Sequence, residues 1–136
     1  MKVRTTTRRE ALLLVAMMVA LLTLSGVALV THLTGTNGPN RLFGTSRVDN
    51  IKGLGGNDYI NGRSGGDRLI GGPGGDTIYD GAVQEQSTDG IYAGEGNDSI
   101  NTRNNPPHYD YIDCGFGRDT LQGDGKDRYK SCEIAR

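Results

Sequence analysis

One short unit recurs along this chain: an Asp, once an Asn, followed two residues later by Leu or Ile, nine times in 136 residues. The pairs are Asn40/Leu42, Asp49/Ile51, Asp58/Ile60, Asp67/Leu69, Asp76/Ile78, Asp89/Ile91, Asp98/Ile100, Asp110/Ile112 and Asp119/Leu121. The first five polar members stand at 40, 49, 58, 67 and 76, a strict period of nine. So short a period admits few folds, because a unit that cannot bury its own apolar face must be stacked on copies of itself. Gly-rich segments lead into many of the Asp residues, as in Gly71-Gly72-Pro73-Gly74-Gly75-Asp76. Glycine, turn and carboxylate together suggest a cation site in each well-formed repeat.

With Asp as position six and Leu/Ile as position eight, positions one to six read as a turn and seven to nine as a very short strand. Tyr59-Ile60-Asn61, Thr77-Ile78-Tyr79 and Ser99-Ile100-Asn101 are examples. Neighbouring side chains in a strand point to opposite faces, so position eight faces inward while seven and nine face outward.

Gly71-Gly72-Pro73-Gly74-Gly75-Asp76-Thr77-Ile78-Tyr79 resembles in full the nonapeptide repeat of RTX, or haemolysin-type, calcium-binding proteins, and Ala93–Asn101 misses only its first Gly. The resemblance covers about residues 35–123. It implies an all-β fold, a right-handed parallel β-roll whose turns bind Ca2+ through the Asp carboxylate and turn carbonyls. In such a roll each turn stacks on its next-but-one neighbour, about 4.8 Å away.

Sorted by side, the turns are unequal. Column A holds the turns ending at Asn40, Asp58, Asp76, Asp98 and Asp119, and its fourth position is always Gly: Gly38, Gly56, Gly74, Gly96 and Gly117. Column B holds those ending at Asp49, Asp67, Asp89 and Asp110, with Arg47, Gly65, Ser87 and His108 at the fourth position. The two departures from the period, four extra residues before Asp89 and three before Asp110, both fall in column B. A ligand-wrapping turn needs Gly where the backbone takes positive φ or approaches an ion closely. Column A is therefore the expected calcium column, with Asp58, Asp76, Asp98 and Asp119 as ligands and Gly56, Gly74, Gly96, Gly117, Asn57 and Asn97 shaping the turns. Asp49, Asp67, Asp89 and Asp110 are candidates in a partly degenerate column, and Asn40 marks a weak terminal site or an empty cap. Asp80, Glu85 and Glu133 stand outside the repeat position and are expected as solvated charges.

Gln122–Tyr129 reads as one last, shortened turn and strand. Continuing the count places Cys132 one column-A level beyond Cys114, a spacing that fits a disulfide. An exported chain with one pair of cysteines usually forms that bond; a zinc site, with only His32 and His108 to complete it, is the weaker reading.

Export is indicated by Lys2, Arg4, Arg8 and Arg9 followed by the uncharged apolar stretch Ala11–Val30. Gly26-Val27-Ala28 offers a cleavage site, and Thr23, Ser25 and Gly26 break the far end of the stretch, favouring a cleaved signal over an uncleaved anchor. The expected organisation is an export signal over 1–28, a linker over 29–34, the roll over 35–129 and a disulfide-bearing cap over 130–136. The expected location is extracellular, with membrane contact only if the N-terminal segment is retained. Four of the 15 Lys/Arg and one of the 16 acids lie within the first ten residues, leaving the remainder net acidic. An acidic remainder without a basic patch argues against nucleic acid as a partner.

Catalytic motifs are absent: there is no HExxH, no GxSxG elbow and no P-loop. His108 reads as a loop histidine, and the chain is not expected to be an enzyme. The other reading is a structural or adhesive surface solenoid contacting a polysaccharide or protein, with calcium in a purely structural role. An ice-binding face is disfavoured, because the seventh positions are mixed: Tyr59, Arg68, Thr77, Gly90, Ser99, Tyr111 and Thr120.

Overall fold

The structure, a computed structural model, describes residues 30–81, 86–104 and 106–133. The expected export signal over 1–28 lies outside these residues, as does Glu85.

Among the described residues eleven strands follow in order: β1 (Thr31–Thr34), β2 (Arg41–Phe43), β3 (Asp49–Lys52), β4 (Tyr59–Asn61), β5 (Arg68–Pro73), β6 (Thr77–Tyr79), β7 (Gly90–Glu95), β8 (Ser99–Asn101), β9 (Tyr111–Phe116), β10 (Thr120–Gln122) and β11 (Arg128–Lys130). Odd-numbered strands form one sheet, β1-β3-β5-β7-β9-β11, and even-numbered strands the other, β10-β8-β6-β4-β2. Every pairing is parallel, so the chain winds as a β-solenoid whose turns cross alternately from one sheet to the other.

The register follows position eight. Leu33, Ile51, Leu69, Ile91, Ile112 and Tyr129 align across one sheet, and Leu42, Ile60, Ile78, Ile100 and Leu121 across the other. Ile51, Ile60, Leu69, Ile78, Ile91 and Ile112 are fully buried, and Ile100 and Leu121 nearly so. Each contributes about 1.5–3 kcal/mol of hydrophobic stabilisation. Leu42 and Leu33, on the first level of each sheet, are only partly buried.

Two boundaries differ from expectation. The stretch 29–34 is not a linker over its described part: β1 pairs with β3, and Thr31 stands where the next level has Asp49. Strands β5, β7 and β9 also run for six residues rather than three, through the start of the following turn. The turns stack closely enough that Gly72, Gly94 and Gly115 stay in register.

Cys114 is fully buried in β9 and bonded to Cys132, with Cα atoms 5.1 Å apart. The cap is thereby tied to the level below it, as the register count requires.

Candidate metal centre

Column A is built on backbone conformation. Gly56, Gly74, Gly96 and Gly117 take φ of 97°, 140°, 135° and 143°, the left-handed region that L side chains avoid. A Cβ on Gly74 would also run into the carbonyl oxygen of Gly56 one level away. In column B only Gly65 among the fourth positions takes positive φ, at 116°; Arg47, Ser87 and His108 do not. Gly38 departs from its column, since it does not take positive φ either. The first turn closes on itself instead, with the Thr36 amide donating to Asn40 Oδ1 at 2.5 Å and Asn40 Nδ2 to Thr36 Oγ1 at 3.1 Å. Asn40 therefore sits in a self-satisfied terminal turn.

The turn aspartates form two ladders. In column A the amides of Asn40, Asp58, Asp76 and Asp98 donate to Oδ1 of Asp58, Asp76, Asp98 and Asp119, at 2.8, 2.8, 2.7 and 3.0 Å. In column B those of Asp49, Asp67, Asp89 and Asp110 donate to Oδ1 of Asp67, Asp89, Asp110 and Asp127, at 2.8, 2.5, 2.9 and 3.3 Å. All eight repeat aspartates are buried, none more than 5% exposed. One oxygen of each of these carboxylates except Asp49 thus joins adjacent levels, and the second decides what else the site can do.

At three levels of column A that second oxygen is left over. Oδ2 of Asp58, Asp76 and Asp98 is buried and has no hydrogen-bond partner. A buried charged oxygen without a partner is costly, and carboxylates stacked about 4.8 Å apart repel by about 3–4 kcal/mol at an effective dielectric near 20. Burial is the main reason that Asp76 and Asp98 are each pushed up to about 6, with smaller repulsion from Asp58 on Asp76 and from Asp76 and Asp119 on Asp98. The ladder hydrogen bonds oppose that rise. All-oxygen donors in a buried row suit a hard divalent cation such as Ca2+. Side-chain oxygens of Asn57 and Asn97 accept the amides of Gly75 and Arg118, both at 2.9 Å. They join neighbouring turns and leave their main-chain oxygens as what these two residues can offer an ion.

In column B the second oxygen is engaged at Asp49 and Asp110. Oδ2 of Asp49 accepts the Thr45 amide at 2.6 Å and its hydroxyl at 3.0 Å, while Oδ2 of Asp110 accepts Asn104 Nδ2 at 2.9 Å. Asp127, which no sequence argument nominated as a ligand, continues the column; its Oδ2 accepts Thr102 Oγ1 at 3.0 Å and the Asp124 amide at 2.9 Å. The signal for Asp127 was the spacing Asp127/Tyr129, hidden because Tyr replaces Leu or Ile.

Asp80 requires a correction. Expected as a solvated charge, it is 3% exposed and lies with Asp89 and Asp110, one carboxylate oxygen from each falling within 4.8 Å of the others. It stands at the first turn position, held by Gly44 and Gly62 in the two preceding levels. A Cβ on Gly62 would lie 2.5 Å from Asp67 Oδ2, so a side chain at that position points into the aspartate row. Burial, then repulsion from Asp110 and Asp89, pushes the Asp80 carboxyl up to about 8. Glu133 is exposed, as expected.

The family described as RTX calcium-binding nonapeptide repeat (4 copies) matches residues 34–69, 61–82 and 87–104. No curated protein and no solved structure matches the chain. The repeats, the parallel solenoid and the aspartate ladders imply calcium binding, and across residues 34–104 the chain belongs to the RTX calcium-binding nonapeptide-repeat family.

Proposed function

We propose that the chain is an exported calcium-binding module whose β-roll folds only when calcium is bound, with column A as its principal site. Asp58, Asp76, Asp98 and Asp119 supply the carboxylates, each ion lying between adjacent levels. Gly56, Gly74, Gly96 and Gly117, with Asn57 and Asn97, shape the turns and offer main-chain oxygens. The carrying observation is the row of buried, unpartnered Oδ2 atoms on Asp58, Asp76 and Asp98, and the positive-φ glycines at the fourth position of these turns set column A apart from column B. A cation between levels would neutralise their repulsion and supply stabilisation that a Gly-rich chain with a narrow core lacks. The Cys114–Cys132 bond fits an oxidising, extracellular setting. Circular dichroism and thermal melting in EDTA and in excess calcium test the proposal. An unchanged β-signal and melting temperature would rule it out.

An adhesive surface role is the second reading, favoured by one outer face. Phe43, Tyr59 and Tyr79 stack with ring centroids 5.6 Å apart at each step, and Arg41 lies 5.1 Å from the Tyr59 ring. Pull-down on cell-wall polysaccharide with and without calcium tests it, and absence of retention in both conditions would dismiss it.

A further inference from the structure

We propose that Asp80, Asp89, Asp110 and Asn104 form a separate site for a hard divalent cation, calcium being the ion of suitable chemistry, outside the regular repeat geometry. Only two of the four, Asp89 and Asp110, are repeat aspartates. Asp80 takes the first turn position, where Gly44 and Gly62 have no side chain, and Asn104 stands at the edge of the chain inserted before Asp110. One oxygen from each of the three carboxylates falls within 4.8 Å of the others, and all three residues are buried. Three carboxylates with no imidazole or thiolate among them favour a calcium-like ion over zinc or copper.

Asn104 is the independent sign of a ligand. It is 7% exposed, and its Nδ2 reaches Asp110 Oδ2 at 2.9 Å and Asp80 Oδ2 at 3.4 Å. Its Oδ1 is buried without a hydrogen-bond partner. A carboxamide so placed is satisfied on one side only. Turning it over would bring the carbonyl oxygen onto the carboxylates, an arrangement that a cation between them makes favourable. The same residues then give three carboxylate ligands and one amide oxygen, with main-chain oxygens and water left to complete the six to eight that calcium takes.

This site does not depend on column A being occupied, so the two are tested separately. Calcium is titrated into the full chain by isothermal calorimetry for the wild type, Asp80→Asn, Asn104→Asp and Asp76→Asn, with far-UV circular dichroism confirming that each variant folds. Asp80→Asn is expected to lose one bound calcium per chain, and Asn104→Asp, adding a fourth carboxylate, to bind that ion more tightly. Unchanged stoichiometry in Asp80→Asn would overturn the proposal and mean that the carboxylates are held together by shared protons instead. Should Asp80→Asn fail to fold, Asn104→Asp decides: no gain in affinity overturns the proposal. A titration altered by Asp80→Asn but not by Asp76→Asn upholds this site and counts against column A; the reverse result does the opposite.

Discussion

Asp76→Asn should change the stability of this protein in opposite directions with and without calcium. The substitution keeps an oxygen to accept the Asp58 amide, now at 2.8 Å from Asp76 Oδ1, and removes only the charge. Without calcium that charge is a burden, since burial lifts the carboxyl from 3.8 to about 6. Taken in full, such a shift corresponds to about 3 kcal/mol at neutral pH, and solvent screening reduces it to about 1–2 kcal/mol. Asp76→Asn in EDTA should recover that amount, raising the melting temperature by about 4–8 °C per kcal/mol for a domain of this size. If the chelated wild type is largely unfolded, the same gain appears as a larger folded fraction by circular dichroism. In excess calcium the variant should melt below the wild type, because a carboxylate facing the neighbouring levels is lost. Lower stability in both conditions would reduce Asp76 to a turn former. Higher stability in both would mean that no cation is held beside it.

Acidification should separate the two states in the same way. In EDTA, Asp76 and Asp98 titrate near 6 in the fold against 3.8 unfolded. The folded form therefore holds the extra protons between these values, and stability falls as pH rises through the window. With calcium present, protons compete for the ligands and acidification should destabilise; melting temperature against pH checks both slopes. Gly74→Ala should cost at least about 1–3 kcal/mol in urea unfolding, since φ is 140° and the new Cβ meets the Gly56 carbonyl. Gly125→Ala, with nothing within 4 Å of its Cβ position, should change little. Leu54 takes φ of 82°, so Leu54→Gly should stabilise by about 0.5–1 kcal/mol net of the added chain entropy, read from the urea midpoint. Reducing the disulfide, which links residues 18 apart, should cost about 3 kcal/mol. An unchanged melting temperature in reductant would show that the cap contributes no constraint.

The solenoid was legible because position eight is both periodic and apolar. Ile51, Ile60, Leu69 and Ile78 carry one inward side chain per turn, and sorting alternate turns placed Cys132 over Cys114. The opening strand was hidden because Thr31 stands where later levels have Asp, so the pair Thr31/Leu33 lacks the polar half of the signal. Asp80 escapes the repeat pattern for a related reason. Position six identifies turn carboxylates, but burial depends on which residue lies beneath in the stack, and that neighbour is Gly62, eighteen residues earlier. Asn104 lies at an insertion, where the repeat assigns no position at all. The asymmetry of the columns could be read from the fourth-position glycines. Their consequence could not: which second carboxylate oxygens find donors, as Asp49 does in Thr45 and Asp110 in Asn104, depends on side-chain contacts that no spacing encodes.

The two insertions leave the sheets undisturbed. Asp67 to Asp89 spans 22 residues and Asp89 to Asp110 spans 21, against 18 for Asp49 to Asp67, yet Leu69, Ile91 and Ile112 remain aligned. Closing a longer loop costs only about 0.6 kcal/mol per doubling of its length. One edge of this molecule thus absorbs the changes of chain length while the other keeps a constant turn. A peptide or small domain spliced into that edge would leave the column-A turns to set the spacing of the whole stack.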